Sequence, residues 1–583
     1  MSMSFYLPLD NEDLDNDTTQ KMHKEVENSG AAADEMESQL ISQPQRQKGG
    51  LITMPFIIAN EALARMASIG ILPNMIVYLM GTYKIPLGKA TQILILSSAA
   101  TNFMPVVGAF VADSYLGRFL VVGLGSTVSF LGMAMLWLTT MIHPAEGGKS
   151  ATLVEMAILL SALGLMSIGS GGLSCSLAFG ADQVNTKDNL NDNHSFVEIF
   201  FSWYYAFTLI SIIIGLTGIV YIQDHLGWKI GFGVPAILML LSTILFFLAS
   251  PLYVKIHKRT NFFTGFSQVV SASYKNRNIP LPSKNSTQCY HHYTDSDCAV
   301  PTDKLRFFNK ACLIKDHEQD KACDGSAINP WSLCTVDQVE ELKSIVRVIP
   351  LWSTGIMMSL NIGGSFGLLQ AKSLDRHITS HFEVPAGSFS VILVGAVFIW
   401  IVIYDRVLLP FVSKIRGKPV RICAKKRMGI GLFFYFLYLV TAATFETIRR
   451  KKAINDDTND GVLKMSAMWL APQLCLAGIA EAFNIIGQNE FYYSEFPRTM
   501  SSVAVSLPGL GMAAGNLVSS FVFSTIENVT SRGGEKGWIC DDINEGRFDK
   551  YYWVIAGLSA INVVYYLVCS WAYGTTVEEL IKD

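Results

Sequence analysis

Charge is scarce in this chain. Asp, Glu, Lys and Arg make up 16% of its 583 residues, where soluble domains carry about 25%. Much of the surface must therefore meet something other than water. A basic excess is also missing: the formal net charge is -3, so the electrostatic footprint of a nucleic-acid binder is absent. None of the ten cysteines stands in a Cys-x-x-Cys pair, and their spacings match no zinc template. Cys289, His291, His292 and Cys298 come nearest to a ligand set, but loop thiols and imidazoles without paired spacing are usually incidental. No metal or other cofactor is expected. No nucleophile–base constellation is legible, which argues against an enzyme. The first 48 residues hold no apolar run, so no signal peptide is expected and the first span must serve as the insertion signal. With Asp10, Glu12, Asp13, Asp15 and Asp17 close together, that tail reads as disordered.

What the chain has in abundance is apolar length. Hydrophobic residues form 50% of it and the mean hydropathy is +0.33. A helix crossing the hydrocarbon core needs roughly 20 mostly apolar residues. Such stretches centre on 51–80, 90–111, 119–142, 152–178, 197–221 and 230–253, and again on 343–370, 386–411, 428–447, 466–488, 501–526 and 551–573. The expectation is an all-α polytopic membrane protein with roughly twelve transmembrane helices in two six-helix bundles, similar to the major facilitator fold. The bundles are expected at 49–253 and 339–575, with a polar linker at 254–338 and a short tail at 576–583.

Lys and Arg orient the spans. Lys255, Lys258, Arg259, Lys275, Arg277, Lys304, Arg306 and Lys310 place the linker in the cytoplasm, with the N-terminus on the same side. Lys414, Arg416, Lys418, Arg421, Lys425, Lys426 and Arg427 do the same for a second inner loop. One group runs against the rule: Arg449, Arg450, Lys451 and Lys452 would fall in an outer loop.

Ionisable groups within spans are costly and mark candidate sites. Glu61 and Arg65 stand four residues apart in the first span and can pair on one helix face. They read either as a gating or coupling pair or as a self-neutralising structural one. Glu481, in the tenth span, has no Lys or Arg within a turn. Its partner must be another helix, the substrate or a proton, and the bland alternative is a buried hydrogen bond. Glu490 reads as interfacial. Between the second and third spans, Asp113 and Arg118 can clasp helix ends as an inner gate. The bland alternative is an ordinary charged loop. Gly169-Ser170-Gly171-Gly172 permits close helix approach. Pro73, Pro105, Pro235, Pro350 and Pro508 are candidate kinks, and Phe200-Phe201-Ser202-Trp203-Tyr204-Tyr205 reads equally as an interfacial belt or a pathway lining.

Several segments together resemble the plant nitrate/peptide transporter family, the plant branch of the proton-coupled oligopeptide transporters. They are MPFIIANEALAR at 54–65, GAFVADSYLGR at 108–118, FGADQ at 179–183, FFSWYY at 200–205, CTVDQVEELKSIVRVIPLW at 334–352 and AEAFNIIGQNEFYYSEFP at 480–497. The resemblance covers about residues 50–575 and implies a secondary transporter working by alternating access. It also implies a first-span proton-coupling motif, Glu-x-x-Glu-Arg. Glu61 and Arg65 match its ends, but Ala64 replaces the second glutamate. Ser174 stands where the family often has a fourth-span cation, and the seventh-span segment around Asn361 lacks the histidine of the family's nitrate transporter. Glu481 matches the family's tenth-span glutamate.

Proton symport needs a carboxylate that gains and loses a cationic partner between access states. With Ala64 and Ser174 present, coupling is expected to be weak or absent. The leading expectation is a carrier of nitrate or another small anion that uses Glu61, Arg65, Ser174, Asn361 and Glu481. The alternatives are a carrier of a plant hormone or glycosylated specialised metabolite, or a non-transporting sensor on a carrier scaffold. The expected surroundings are a lipid bilayer, the plasma membrane rather than the tonoplast, with a regulatory kinase acting on the cytoplasmic regions.

Overall fold

The protein is described by a computed structural model over residues 49–142, 152–184, 193–255, 262–281, 290–292, 300–314, 327–360, 363–379, 382–418, 422–455, 462–497, 500–532 and 537–574. The expected tails at 1–48 and 576–583 lie outside the described residues, as do Cys289, Cys298 and Asn361.

The first bundle begins with α1 (Met54–Ile71) and α2 (Met75–Gly81), which form one path bent by 42° across Leu72-Pro73-Asn74. Pro73 supplies no N–H to a continuing helix, so the chain breaks there. Next come α3 (Leu87–Val111), α4 (Arg118–Ile142), α5 (Leu153–Leu173), α6 (Ser176–Val184), α7 (Asn193–Ile214), α8 (Val220–His225) and α9 (Gly227–Leu248). The linker contributes α10 (Phe262–Lys275). The second bundle contains α11 (Val336–Gly355), α12 (Gly363–Lys372), α13 (Ser390–Ile403), α14 (Leu409–Arg416), α15 (Ala424–Asn455), α16 (Ala471–Glu495), α17 (Ser501–Thr530) and α18 (Phe548–Tyr573). Four short strands decorate the side away from the linker: β1 (Leu374–Asp375), β2 (His377–Thr379), β3 (Phe382–Glu383) and β4 (Leu463–Ser466). β1 runs parallel to β4 and β2 antiparallel to β3.

Ten helices among the described residues are long and apolar enough to cross a membrane, or eleven when α1 and α2 count as one bent span. Over the span expected at 343–370, α11 ends at Gly355, a tight turn follows at Ile356–Ser359, and α12 begins at Gly363. α11 carries Asp337, Glu340, Glu341, Lys343 and Arg347, which keeps it too polar to pass as a free-standing span. It fills the remaining place in a six-helix half. Leu248, Phe521, Ile561 and Leu567 stand exposed on the outer surface, as side chains that face lipid do.

Small residues set the spacing of α3, α4 and α5. A Cβ on Gly171 would sit 2.5 Å from the Met104 carbonyl oxygen, and one on Gly172 would sit 2.6 Å from the Gly125 Cα. Both obstacles are backbone, which cannot swing aside. Gly172→Val is therefore expected to lower the melting temperature of the purified protein by several degrees, which a thermal-shift assay would read.

The ninth span differs from expectation. Arg449, Arg450, Lys451 and Lys452 are not in a loop, because α15 continues through them to Asn455. Arg449 is fully buried with Glu446 at 2.8 Å, also fully buried. Its guanidinium further donates to Ser373 Oγ, Asn544 Oδ1 and the Ile543 carbonyl, and Gln370 donates to Glu446 at 2.7 Å. A neutralised, buried arginine carries no weight in a loop-charge count, so the break in the orientation rule loses its chief member.

The linker is more than a polar tether. α10, the turn Phe308–Cys312 and the first turns of α11 enclose a small core of Val269, Ala272, Cys312, Cys334, Val339 and Leu342. A capping box joins Thr335 and Gln338 at the start of α11. Burial pushes the Cys312 and Cys334 thiols up to about 12, so both stay protonated and act as small apolar side chains.

Candidate functional site

The site is built from charges on two bundles. On α1, Arg65 donates to one oxygen of Glu61, from Nη2 at 2.7 Å and from Nε at 3.1 Å. The four-residue spacing produces this pair directly. Glu61 is 3% exposed whereas the Arg65 side chain is 44% open. The carboxylate is thus enclosed while the guanidinium stays accessible. Tyr204 on α7 lies within electrostatic reach of both. Within the aromatic run Phe200 and Tyr204 are buried, while Trp203 and Tyr205 are exposed.

Ser174 occupies the break between α5 and α6, where its hydroxyl donates to the Gly171 carbonyl at 2.8 Å. It supplies no cation to the Glu61–Arg65 pair. Asn60, adjacent to Glu61, accepts at Oδ1 from Ser242 on α9 at 2.7 Å.

In the second bundle Glu481 lines a cavity of about 160 Å³ with Trp352, Tyr435, Asn484, Gln488 and Met512. Glu481, Asn484 and Gln488 follow at i, i+3 and i+7 on α16, so one face of that helix supplies the polar wall. Among the described residues no Lys or Arg pairs with Glu481. The Tyr435 hydroxyl and the Asn484 amide nitrogen are buried with no hydrogen-bond partner among the described residues. Gln488 donates to Asn484 Oδ1 at 2.5 Å, and the Trp352 indole is tied to the Leu507 carbonyl at 2.9 Å. Unspent hydrogen-bonding capacity facing a cavity is what a ligand or ordered water satisfies.

Asp113 and Arg118 come together at the linker-side end of the first bundle, at 3.2 Å. Arg118 also reaches Asp182 at 2.8 Å and the Ala178 carbonyl, so one guanidinium ties α4 to α6 and to the turn that ends α3. The second bundle has counterparts on the same side. Arg427 pairs with Glu490 at 2.7 Å and lies over the Tyr404 ring. Arg347 lies over Tyr573, whose hydroxyl donates to Glu495.

Contacts between the bundles gather on the side away from the linker. The Leu87 N–H donates to Asp541 at 2.6 Å, Gln92 to Ser520 at 2.9 Å, and Ser388 to the Leu216 carbonyl at 2.9 Å. Arg376 on one bundle stands 3.8 Å from Asp224 on the other. These contacts hold the two bundles together on that side.

The structure therefore joins Glu61 with Arg65 and Asp113 with Arg118, leaves Ser174 in a local turn, and places Glu481 in a different bundle from the α1 pair. Sequence reasoning passed over Asp182, Glu446, Tyr435, Asn484 and Gln488. The spacing of Asn484 and Gln488 from Glu481 was a usable signal. Tyr435 and Glu446 had none, since only packing brings them to their partners. Among the described residues no group of His, Cys, Asp and Glu is arranged to hold a metal.

Comparison with known proteins follows the same lines. A match to PTR2, the POT family, spans residues 119–539. The chain is 51% identical to Protein NRT1/ PTR FAMILY 1.2 of Arabidopsis thaliana, over 92% of this chain and 91% of the relative. It is 53% identical to Protein NRT1/ PTR FAMILY 1.1 of the same organism, over 92% and 94% respectively. Among solved structures it is similar to the in meso crystal structure of the POT family transporter PepTSo, with a TM-score of 0.65 and 19% identity, covering 89% of this chain and 98% of that one. That last likeness shows the fold.

Proposed function

This chain belongs to the POT family of membrane transporters, and we propose that it carries nitrate or another small anion with weak or absent proton coupling. The observation that supports this most is the half-used Arg65 guanidinium. Two of its N–H groups serve Glu61, and no hydrogen bond from Nη1 is found among the described residues. A planar, solvent-accessible fork with an unspent edge is suited to a planar oxyanion. Weak coupling follows from the partners: Glu61 is held by its own helix neighbour, and Ser174 offers no alternative cation.

We place the linker in the cytoplasm, at the boundaries 254–338, and the membrane of residence as the plasma membrane. The face where the inter-bundle contacts gather is then external. Asp113 and Arg118, with Asp182, act as an inner clasp that holds the linker-side ends of the first bundle together as the bundles rock. Arg118→Gln is expected to lower uptake severalfold while leaving surface abundance near normal, read by transport and surface biotinylation in parallel.

One observation favours a second reading. The cavity around Glu481 is far larger than a nitrate ion and walled by Trp352, Met358 and Met512, which suits an organic substrate such as a hormone or a glycosylated metabolite. The discriminating experiment is uptake of labelled nitrate and of a panel of such organic compounds in oocytes at acidic and neutral external pH. Nitrate flux at both pH values supports the anion reading. Absence of nitrate flux with uptake of a panel member overturns it.

A further inference from the structure

One threonine of the linker is bonded to the first turns of α11 through its backbone and its side chain alike. The Thr302 N–H donates to Glu340 Oε1 at 2.9 Å, and its hydroxyl donates to the same carboxylate, at 2.9 Å from Oε2. Its carbonyl accepts from Lys343 Nζ at 2.9 Å and from the Asn309 amide at 3.2 Å. Lys343 closes the circuit on Glu340 at 2.6 Å and is itself nearly buried. Yet Thr302 is exposed at the surface. A lysine, Lys304, stands two residues after the threonine, while Asp303 between them pairs with Arg306 at 3.5 Å.

The position matters because of what α11 does next. Glu340 and Lys343 lie near its start, and Trp352 and Gly355, farther along the same helix, line the cavity that contains Glu481. A 12-residue step from Glu340 to Trp352 spans about 18 Å of helix. The strap from Val300 to Cys312 therefore grips the linker-side end of a helix whose other end forms the cavity wall.

We propose that Thr302 is a phosphorylation site, and that a phosphate on its Oγ releases the linker strap from α11. The donor is ATP and the catalyst a serine/threonine protein kinase that reads a basic residue two positions downstream. The Thr302 Oγ–phosphorus bond forms and the bond from that phosphorus to the β–γ bridging oxygen breaks. ADP leaves, and the hydroxyl proton passes to the kinase's base. The product carries close to two negative charges where the hydroxyl had donated to Glu340. Like charges then repel, and the phosphate competes with Glu340 for Lys343. The clasp exchanges a donor for an acceptor and opens. The proposal rests on the cytoplasmic placement of the linker. Its tests use the detergent-solubilised full chain, where both faces are accessible, so their failure is separable from failure of that placement.

The first test incubates the solubilised protein with radiolabelled ATP and a purified kinase of that specificity. Label is expected on the wild type and on Thr302→Ser, and is expected to fall sharply in Thr302→Val. Absence of label, or equal label in Thr302→Val, contradicts the site. The second installs phosphoserine at position 302 by codon reassignment and compares it with Thr302→Ser under limited trypsin digestion at Lys304 and Arg306. Cleavage is expected to be about tenfold faster with the phosphate, the change in open population that loss of one charge-assisted hydrogen bond brings. Equal rates overturn the release of the strap, because Thr302→Ser already carries any purely structural cost of the substitution.

Discussion

Arg449→Ala is expected to abolish a stably folded carrier. Both partners of the Arg449–Glu446 pair are fully buried. Removing one leaves a carboxylate in a low-dielectric interior with, among the described residues, Gln370 alone to serve it, a loss of about 3–5 kcal/mol. Folded domains are stable by roughly 5–15 kcal/mol in total, so this single change removes a large fraction. It also frees three junctions at once, because Arg449 holds Ser373 at the end of α12 and Ile543 and Asn544 in the segment before α18. The measurement is size-exclusion profile and thermal unfolding of the solubilised protein. The double replacement Glu446→Gln with Arg449→Met removes both charges together and is expected to recover most of the loss, since an apolar or neutral pair of similar volume is tolerated where a lone charge is not. Equal damage from the single and double variants would point to shape rather than charge.

Arg65→Gln is expected to reduce nitrate uptake by about 10–100-fold with normal surface abundance, the cost of about one to two charge-assisted hydrogen bonds after discounting for water in the cavity. Two effects act together. The anion loses its guanidinium fork, and Glu61 is left as an uncompensated negative charge on the same path. Glu61→Gln separates the two, because it leaves Arg65 unpaired and more available. That variant is expected to keep or raise uptake and to leave its pH profile flat. Had Glu61 been the proton-coupling carboxylate, the same change would remove acid-driven accumulation.

These expectations show where sequence was legible and where it was not. Long apolar runs located most spans to within a few residues, since hydrocarbon thickness imposes a length that hydropathy reads directly. The end of α15 escaped because Arg449–Lys452 have the composition of a loop, and only the buried Glu446, three residues back, makes them helical and packed. The seventh span was located but not its split, and its charged start belongs to the linker core as much as to the bundle. That core was invisible, since Val269, Ala272 and Cys312 are ordinary residues scattered over a polar stretch. At the site, the Glu61–Arg65 pair followed from helix periodicity alone. The Arg118 clasp was half seen: Asp182 stood in a quoted motif, but 64 residues of separation hide a contact that only the packing of α4 against α6 creates. The polar wall around Glu481 repeated the helix period and was open to the same reasoning that found Glu61 and Arg65.

The central claim, an anion carrier whose flux is not tied to protons, is tested most directly in proteoliposomes with membrane potential and pH gradient clamped independently. With the potential held at zero, labelled nitrate is expected to equilibrate at a rate that an imposed acid-outside gradient leaves unchanged, and to stop at equal concentrations. Accumulation above equilibrium driven by that gradient alone would contradict the account, and would return Glu61 or Glu481 to the role of a proton-coupling carboxylate.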